Sequence, residues 1–189
     1  MGREIWKPGN MLYPLPVVMV SCRRPNEKAN IVTVAWTGTI CSDPAMLYIS
    51  LRKSRYSYDI IKETGEFVVC LATKELCHAL DFCGVKSGRD IDKFAACGLH
   101  ELEMSTVSAP GIAESPVCIE CKVKEIVELG SHDMFISDVT AVQADDRYMN
   151  ADGKFDLALA DPIVYSHGDY YTLNEKIGKF GYSVKKNRV

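Results

Sequence analysis

Two long strand-like runs, Cys118 to Glu128 and Met134 to Val142, are separated only by Leu129-Gly130-Ser131-His132-Asp133. Parallel neighbours need a crossover of about a dozen residues or more, so a link this short makes the two runs an antiparallel hairpin. Earlier segments have the same character. Val17 to Cys22, Ile31 to Ser42, Met46 to Leu51 and Glu66 to Leu71 read as strands, with a turn over residues 23–28 and a stop at Asp43-Pro44. Helical signals cluster in the middle of the chain. Ser54 is placed to cap a helix from Tyr56 to Glu63 that ends at Gly65, while Lys74 to Cys83 and Asp90 to Cys97 carry Gly84 and Gly98 as stop signals. Shorter strands near Asp156 to Ala160 and Ile163 to Ser166 precede a polar, Tyr- and Gly-rich tail. This order predicts a mainly β fold with helical insertions, a barrel or a sandwich, and it lacks the βαβ alternation of a dinucleotide fold.

The 189 residues are expected to form a single domain, and 47% apolar residues suffice for a core and exclude wholesale disorder. A formal charge of −3 gives no global attraction to nucleic acid or an anionic membrane, so any phosphate must be caught locally. The apolar stretches are broken by Pro or polar residues and fall short of the ~20 residues a membrane helix needs. Arg3 and Lys7 before a short apolar run ending in Val20-Ser21-Cys22 resemble a lipoprotein signal, but Pro14 and Pro16 break that run and Val17 to Val20 reads as a strand. Gly2 is no myristoylation site, since Trp6 stands where Ser or Thr is required. A core of this size does not need disulfide staples, so the eight cysteines are expected as free thiols in a cytoplasmic protein. In a strand, Cys118 and Cys121 point to opposite faces and cannot converge on a metal.

The common catalytic fingerprints are absent: Gly-x-Gly-x-x-Gly, the P-loop, His-Glu-x-x-His and Gly-x-Ser-x-Gly. His78, His100, His132 and His167 lack metal-ligand spacing, so no metal site is expected. Residues 30–57 are the most informative. On the predicted strand 31–42, Thr33, Ala35, Thr37, Thr39 and Cys41 form a face of small groups that a flat ring can approach, while Val32, Val34, Trp36 and Ile40 form the other. Arg52-Lys53-Ser54-Arg55 then places basic groups and a hydroxyl at a helix start, which suits a phosphate. An anion cradle beside a small-residue platform is what a phosphorylated planar cofactor requires.

The run N-x-x-T-x-A-W-T-G-T-x-C-S-D-P, followed by S-L-R-K-S-R-Y-S, resembles the flavin reductase-like, FMN-binding split-barrel family, and within it the flavoredoxin type. The stretches 87–94, 130–132 and 169–173 resemble later motifs of that family, with Ser131 replacing its Asp, and the likeness covers about residues 10–183. The resemblance implies a Greek-key split β-barrel, present as a homodimer with one FMN per subunit. It implies that Asn30, Thr33, Ala35, Trp36 and Thr37 border the ring and ribityl chain and that Cys41, Ser42, Arg52, Ser54 and Arg55 hold the phosphate end. By the same likeness Lys93 approaches the ring, where a cation stabilises reduced flavin, and His132 faces the flavin and nicotinamide site as the catalytic candidate.

Hydride transfer needs no catalytic triad from the protein, because the cofactor carries the chemistry. The expected activity is transfer from NADH or NADPH to FMN and onward to free flavin, iron or a redox protein. The rival expectations are an electron carrier reduced by a ferredoxin-type protein, and a non-catalytic barrel that binds another ligand.

Overall fold

The computed structural model describes residues 2–184. In chain order the elements are β1 (Leu15–Pro16), β2 (Val18–Cys22), β3 (Asn30–Val34), β4 (Thr37–Ser42), β5 (Ala45–Leu51), α1 (Tyr56–Thr64), β6 (Glu66–Leu71), α2 (Cys77–Val85) and α3 (Lys93–Cys97). There follow β7 (Glu101–Leu102), β8 (Gly111–Ile112), β9 (Val117–Glu128), β10 (Asp133–Ala144), β11 (Ile163–Ser166) and β12 (Asp169–Thr172). Seven strands form one antiparallel sheet in the order β3-β2-β6-β9-β10-β5-β4, and β1-β11-β12 form a small second sheet.

The topology itself requires the large sheet to curl. β3 and β4 are its opposite edges, yet only Ala35 and Trp36 separate them in sequence. Two residues span no more than a few ångströms per residue, so the edges must come together, as in a barrel split along one seam. The single strand expected over 31–42 is therefore two strands. Its break is fixed by a turn in which Thr37 N donates to Ala35 O at 3.0 Å, while Ser50 N donates to Trp36 O at 2.8 Å.

Curling buries both faces of several strands, which explains their near-continuous apolar runs. Val17, Met19, Ile31, Val68, Cys70 and Cys118 face one core with α2 and α3; Val18, Val20, Val32, Val34, Phe67, Val69 and Cys121 face another with α1. Cys118 and Cys121 thus lie on opposite faces. All eight cysteines are free thiols, with Cys118 Sγ 3.6 Å from Cys70 Sγ on the paired strand. The predicted alternation does not survive to Ile40, which is 46% exposed, because a bulge between Thr39 and Cys41 shifts the phase of β4.

Local signals set some boundaries and missed others. Gly65 ends α1 in the left-handed region at φ 70°, where its N–H reaches Ile61 O, but the N-cap is Arg55 without a side-chain bond, not Ser54. α2 begins three residues later than expected because Thr73 Oγ1 accepts from Leu76 N and holds the segment before it as a turn. Gly84 lies inside α2 rather than ending it, and a Cβ there would meet the Thr33 side chain at 3.2 Å. α3 is capped by Asp92, which accepts from Ala95 N, and stopped by Gly98. The expected strand at 156–160 is instead a 3₁₀ turn, because the Asp156 side chain accepts from Ala158 N and supplies a cap. Among the described residues no helix is long and apolar enough to cross a membrane.

Candidate functional site

Two adjoining hollows open where β3 meets the start of α1 and the end of α2. The first, about 410 Å³, is lined by Asn30, Arg52, Ser54, Arg55, Lys86 and Lys93, with Tyr56, Ser57 and residues 85–88 completing the wall. Among the described residues its lining includes four cationic side chains and no carboxylate. The second, about 530 Å³, shares Val32, Arg52, Arg55 and Val85 with the first, and its walls include Thr33, Ala35, Trp36, His132, Tyr165 and Tyr170. A basic chamber thus continues into an aromatic-walled groove.

Lys93 defines the chemistry of the chamber. It is 3% exposed, and its Nζ donates to Ile31 O at 2.6 Å and Cys83 O at 2.8 Å, which leaves one donor over and no carboxylate partner among the described residues. Burial, reinforced by the Arg55 guanidinium, holds its pKa below the usual lysine range. A buried cation without a counter-charge on the wall of a chamber favours an anionic ligand. Arg55 is braced by donating from Nη1 to Gly84 O at 2.9 Å. Asn30 is oriented by its bond from Nδ2 to Ser57 Oγ at 2.7 Å.

The loop over residues 87–92 closes tightly on this chamber. A Cβ at Gly88 would fall 1.9 Å from Asn30 Oδ1, so only glycine lets the loop approach. Arg89 ties that loop to α1 through Ser54 O at 3.4 Å and Asp59 at 3.8 Å, and its guanidinium lies 5.2 Å from the Tyr56 ring centre.

In the groove, the His132 ring is parallel to Trp36 within 4°, with centroids 6.1 Å apart, and its Nδ1 is hydrogen-bonded to Ser131 Oγ at 2.8 Å. The ring is thus held by a contact made within the turn itself. Burial, followed by Arg52 and Arg55, lowers the His132 pKa and favours the neutral imidazole near pH 7. On the far wall Tyr170 OH donates to Asp81 Oδ1 at 2.9 Å and joins the small sheet to α2.

The structure brings together nine of the twelve sequence-predicted residues: Asn30, Arg52, Ser54, Arg55 and Lys93 at the chamber, and Thr33, Ala35, Trp36 and His132 at the groove. Thr37 is buried beside the groove but is engaged elsewhere, donating from Oγ1 to Tyr48 O at 2.6 Å. Cys41 and Ser42 are not at either hollow. They pair with Met46 and Ala45 at the far end of the β4–β5 hairpin, about 20 Å along β5 from Arg52 at the usual rise per residue. The expected strand face failed to carry them because the bulge and the crossover at Ala35-Trp36 turn β4 away. Sequence reasoning did not single out Ser57, Lys86, Asp81 or Tyr165. Ser87-Gly88 and Tyr170 lay in stretches whose family likeness was visible, whereas Asp81 and Tyr165 carry no local signal.

The sequence profile described as "Flavin reductase like domain" matches residues 10–174. The chain belongs to this family. In structure it is similar to flavoredoxin of Desulfovibrio vulgaris (Miyazaki F), with 30% identity, a TM-score of 0.90, and 97% of this chain and 100% of that one covered. Flavoredoxin from Methanosarcina acetivorans is similar at 27% identity and a TM-score of 0.85, with the same coverage. An uncharacterized protein of Archaeoglobus fulgidus is 32% identical over 174 residues, which is 92% of this chain and 96% of that one. The fold is that of the family's split barrels, and membership supports a flavin-dependent redox role.

Proposed function

We propose that the chamber and groove bind FMN and that the protein is an oxidoreductase using NADH or NADPH as electron donor and a small molecule or a redox protein as acceptor. The observation that carries this reading is the acid-free chamber of Arg52, Arg55, Lys86 and Lys93 running into the aromatic-walled groove. Bound FMN would supply a two-electron hydride acceptor that can return electrons singly or in pairs.

The chain's own residues are suited to holding such a cofactor. Arg55 and Lys93 offer charge-assisted hydrogen bonds to a phosphate, Ser54 adds a hydroxyl, and Gly88 keeps the loop close enough to shut out water. Thr33 and Ala35 leave room for a ring beside β3, and Gly84 keeps α2 close to Thr33. Neutral His132 can donate or accept a hydrogen bond at the groove, so it can orient a donor without adding charge.

Anaerobic addition of one equivalent of NADH, and separately of NADPH, to the FMN-loaded protein tests this. Rapid loss of the visible flavin band with either donor is the expected result, and a band that persists with both would exclude the reductase form. The coverage and 30% identity shared with the Desulfovibrio flavoredoxin favour a second reading, an electron carrier reduced by a ferredoxin-type protein. Reduction by such a donor but by neither nicotinamide selects it. We further propose a cytoplasmic homodimer, which sedimentation equilibrium checks through a mass twice the 21.0 kDa of the chain.

A further inference from the structure

Asp133 opens β10 directly after His132 and is fully buried. Its carboxylate gathers three elements. Oδ2 accepts from Tyr58 OH of α1 at 2.6 Å and faces Lys53 Nζ at 3.4 Å, while Oδ1 accepts from Leu129 N across the turn at 3.3 Å. Asp133 also stands between Leu51 on β5 and Glu128 on β9 in the sheet register. One buried carboxylate therefore pins the turn carrying His132 to the helix and loop that carry the basic chamber. Arg52 and Lys53 divide the work: Arg52 lines both hollows, while Lys53 turns back to Asp133.

We infer that Asp133, held by Tyr58 and Lys53, is a positioning residue that fixes the His132 ring against Trp36 at the wall of the groove. Its consequence for turnover rests on the flavin reading given above, but the placement of the ring does not. An unanchored 129–132 turn would carry His132 into water, because Ser131, its hydrogen-bonding neighbour, moves with it. The network spans residues 53, 58 and 133, so it couples the turn to β5 and α1 rather than to its own hairpin alone. The charged groups facing His132 are Arg52 and Arg55 from the segment after β5, with Asp133 and Lys53 behind the turn.

The apoprotein carries its own probe. Protonated imidazole quenches a stacked indole, and the chain has only two tryptophans, so Trp6→Phe leaves Trp36 as the sole emitter. In that background the pH titration of Trp36 emission reports His132, and His132→Asn abolishes the titration. Tyr58→Phe keeps the ring that packs edge-on against Phe135 and removes only the hydroxyl; Asp133→Asn removes the charge.

Both variants are expected to move the midpoint up toward the unperturbed histidine value of about 6.5 and to reduce the quenching amplitude, as the ring leaves its partly buried place near the two arginines. The sign is diagnostic. A purely electrostatic effect of Asp133→Asn would lower the midpoint, because a nearby negative charge has been removed. An unchanged or lowered midpoint with undiminished amplitude overturns the inference. If Asp133→Asn does not fold, Tyr58→Phe alone decides by the same criterion. Because no cofactor is present in this titration, its failure is separate from a failure of FMN-loaded protein to bleach with a nicotinamide.

Discussion

Two buried charges, Glu120 and Lys93, are solvated by the protein in opposite ways. Glu120 on β9 is fully buried, and its carboxylate accepts from Ser105 N and Oγ at 3.0 and 2.7 Å, from Thr106 N and Oγ1 at 2.5 and 2.7 Å, and from Gln143 Nε2 at 3.4 Å. Lys93 has two carbonyl partners and, among the described residues, no counter-charge, and it borders a cavity. A buried charge whose hydrogen-bonding capacity is filled by its own loop is part of the structure. One left incomplete beside a cavity is prepared for a ligand.

The largest expected effect falls on the filled site. Glu120→Ala strands the donors of Ser105 and Thr106 and should cost about 3–5 kcal/mol of folding stability in urea melts, with FMN affinity of the folded fraction unchanged. Desolvation pushes the Glu120 pKa up, but the bonds from Thr106 and Ser105 outweigh it and hold the group at about 2. A carboxylate lowered in the folded state stabilises the fold fully above its unfolded value near 4.5 and loses that contribution as pH falls toward 2. Acid denaturation of Glu120→Gln should accordingly be less steep below pH 4.5.

Next in size is Arg55→Ala, which on the proposed FMN reading would remove a charge-assisted phosphate contact worth about 1.5–3 kcal/mol and should weaken FMN roughly ten- to a hundred-fold by fluorescence titration. Lys93→Met should produce a similar loss of FMN affinity while apoprotein stability changes by about 1 kcal/mol or less, since a desolvated cation and two of its hydrogen bonds are removed together. A large destabilisation by Lys93→Met would erase the contrast with Glu120. The contrast sharpens with pH. Burial and Arg55 lower the Lys93 pKa, so the unfolded chain binds the extra proton between that lowered value and 10.5. Wild-type apoprotein should gain stability relative to Lys93→Met, and lose FMN affinity, as pH rises through that window.

The smallest effect is expected at Cys118→Ser, which should leave FMN affinity and reduction intact. The thiol is buried between Cys70 Sγ and Ile112 O at 3.6 Å each, and neither Cys70 nor Cys118 lines either hollow. Loss of reduction in this variant would require a thiol relay through the Cys70–Cys118 pair.

The two charges also differ in how they appear in the sequence. Glu120 lies in Val-Cys-Ile-Glu-Cys-Lys-Val-Lys, where alternation gives no hint that a carboxylate is buried, because its partners at 105 and 106 are in a loop with no local signature. Lys93 is legible only through a family-like stretch, since its partners Ile31 and Cys83 are 62 and 10 residues away. The basic run Arg52 to Arg55 was plain from spacing. Its sorting was not: Arg52 and Arg55 go to the hollows and Lys53 to Asp133.

What the sequence determined by itself is local: the antiparallel pairing of β9 with β10, the end of α1 at Gly65, and the basic turn after β5. Each follows from short link length, backbone freedom at one residue, or side-chain type, which act over a few residues. The tertiary structure decided the break at Ala35-Trp36, the removal of Cys41 and Ser42 from the cradle, and the meeting of Asp81 with Tyr170 across 89 residues. These depend on how far a seven-stranded sheet curls before its edges meet. That curl is set by packing on both faces at once, and no short window of sequence contains it.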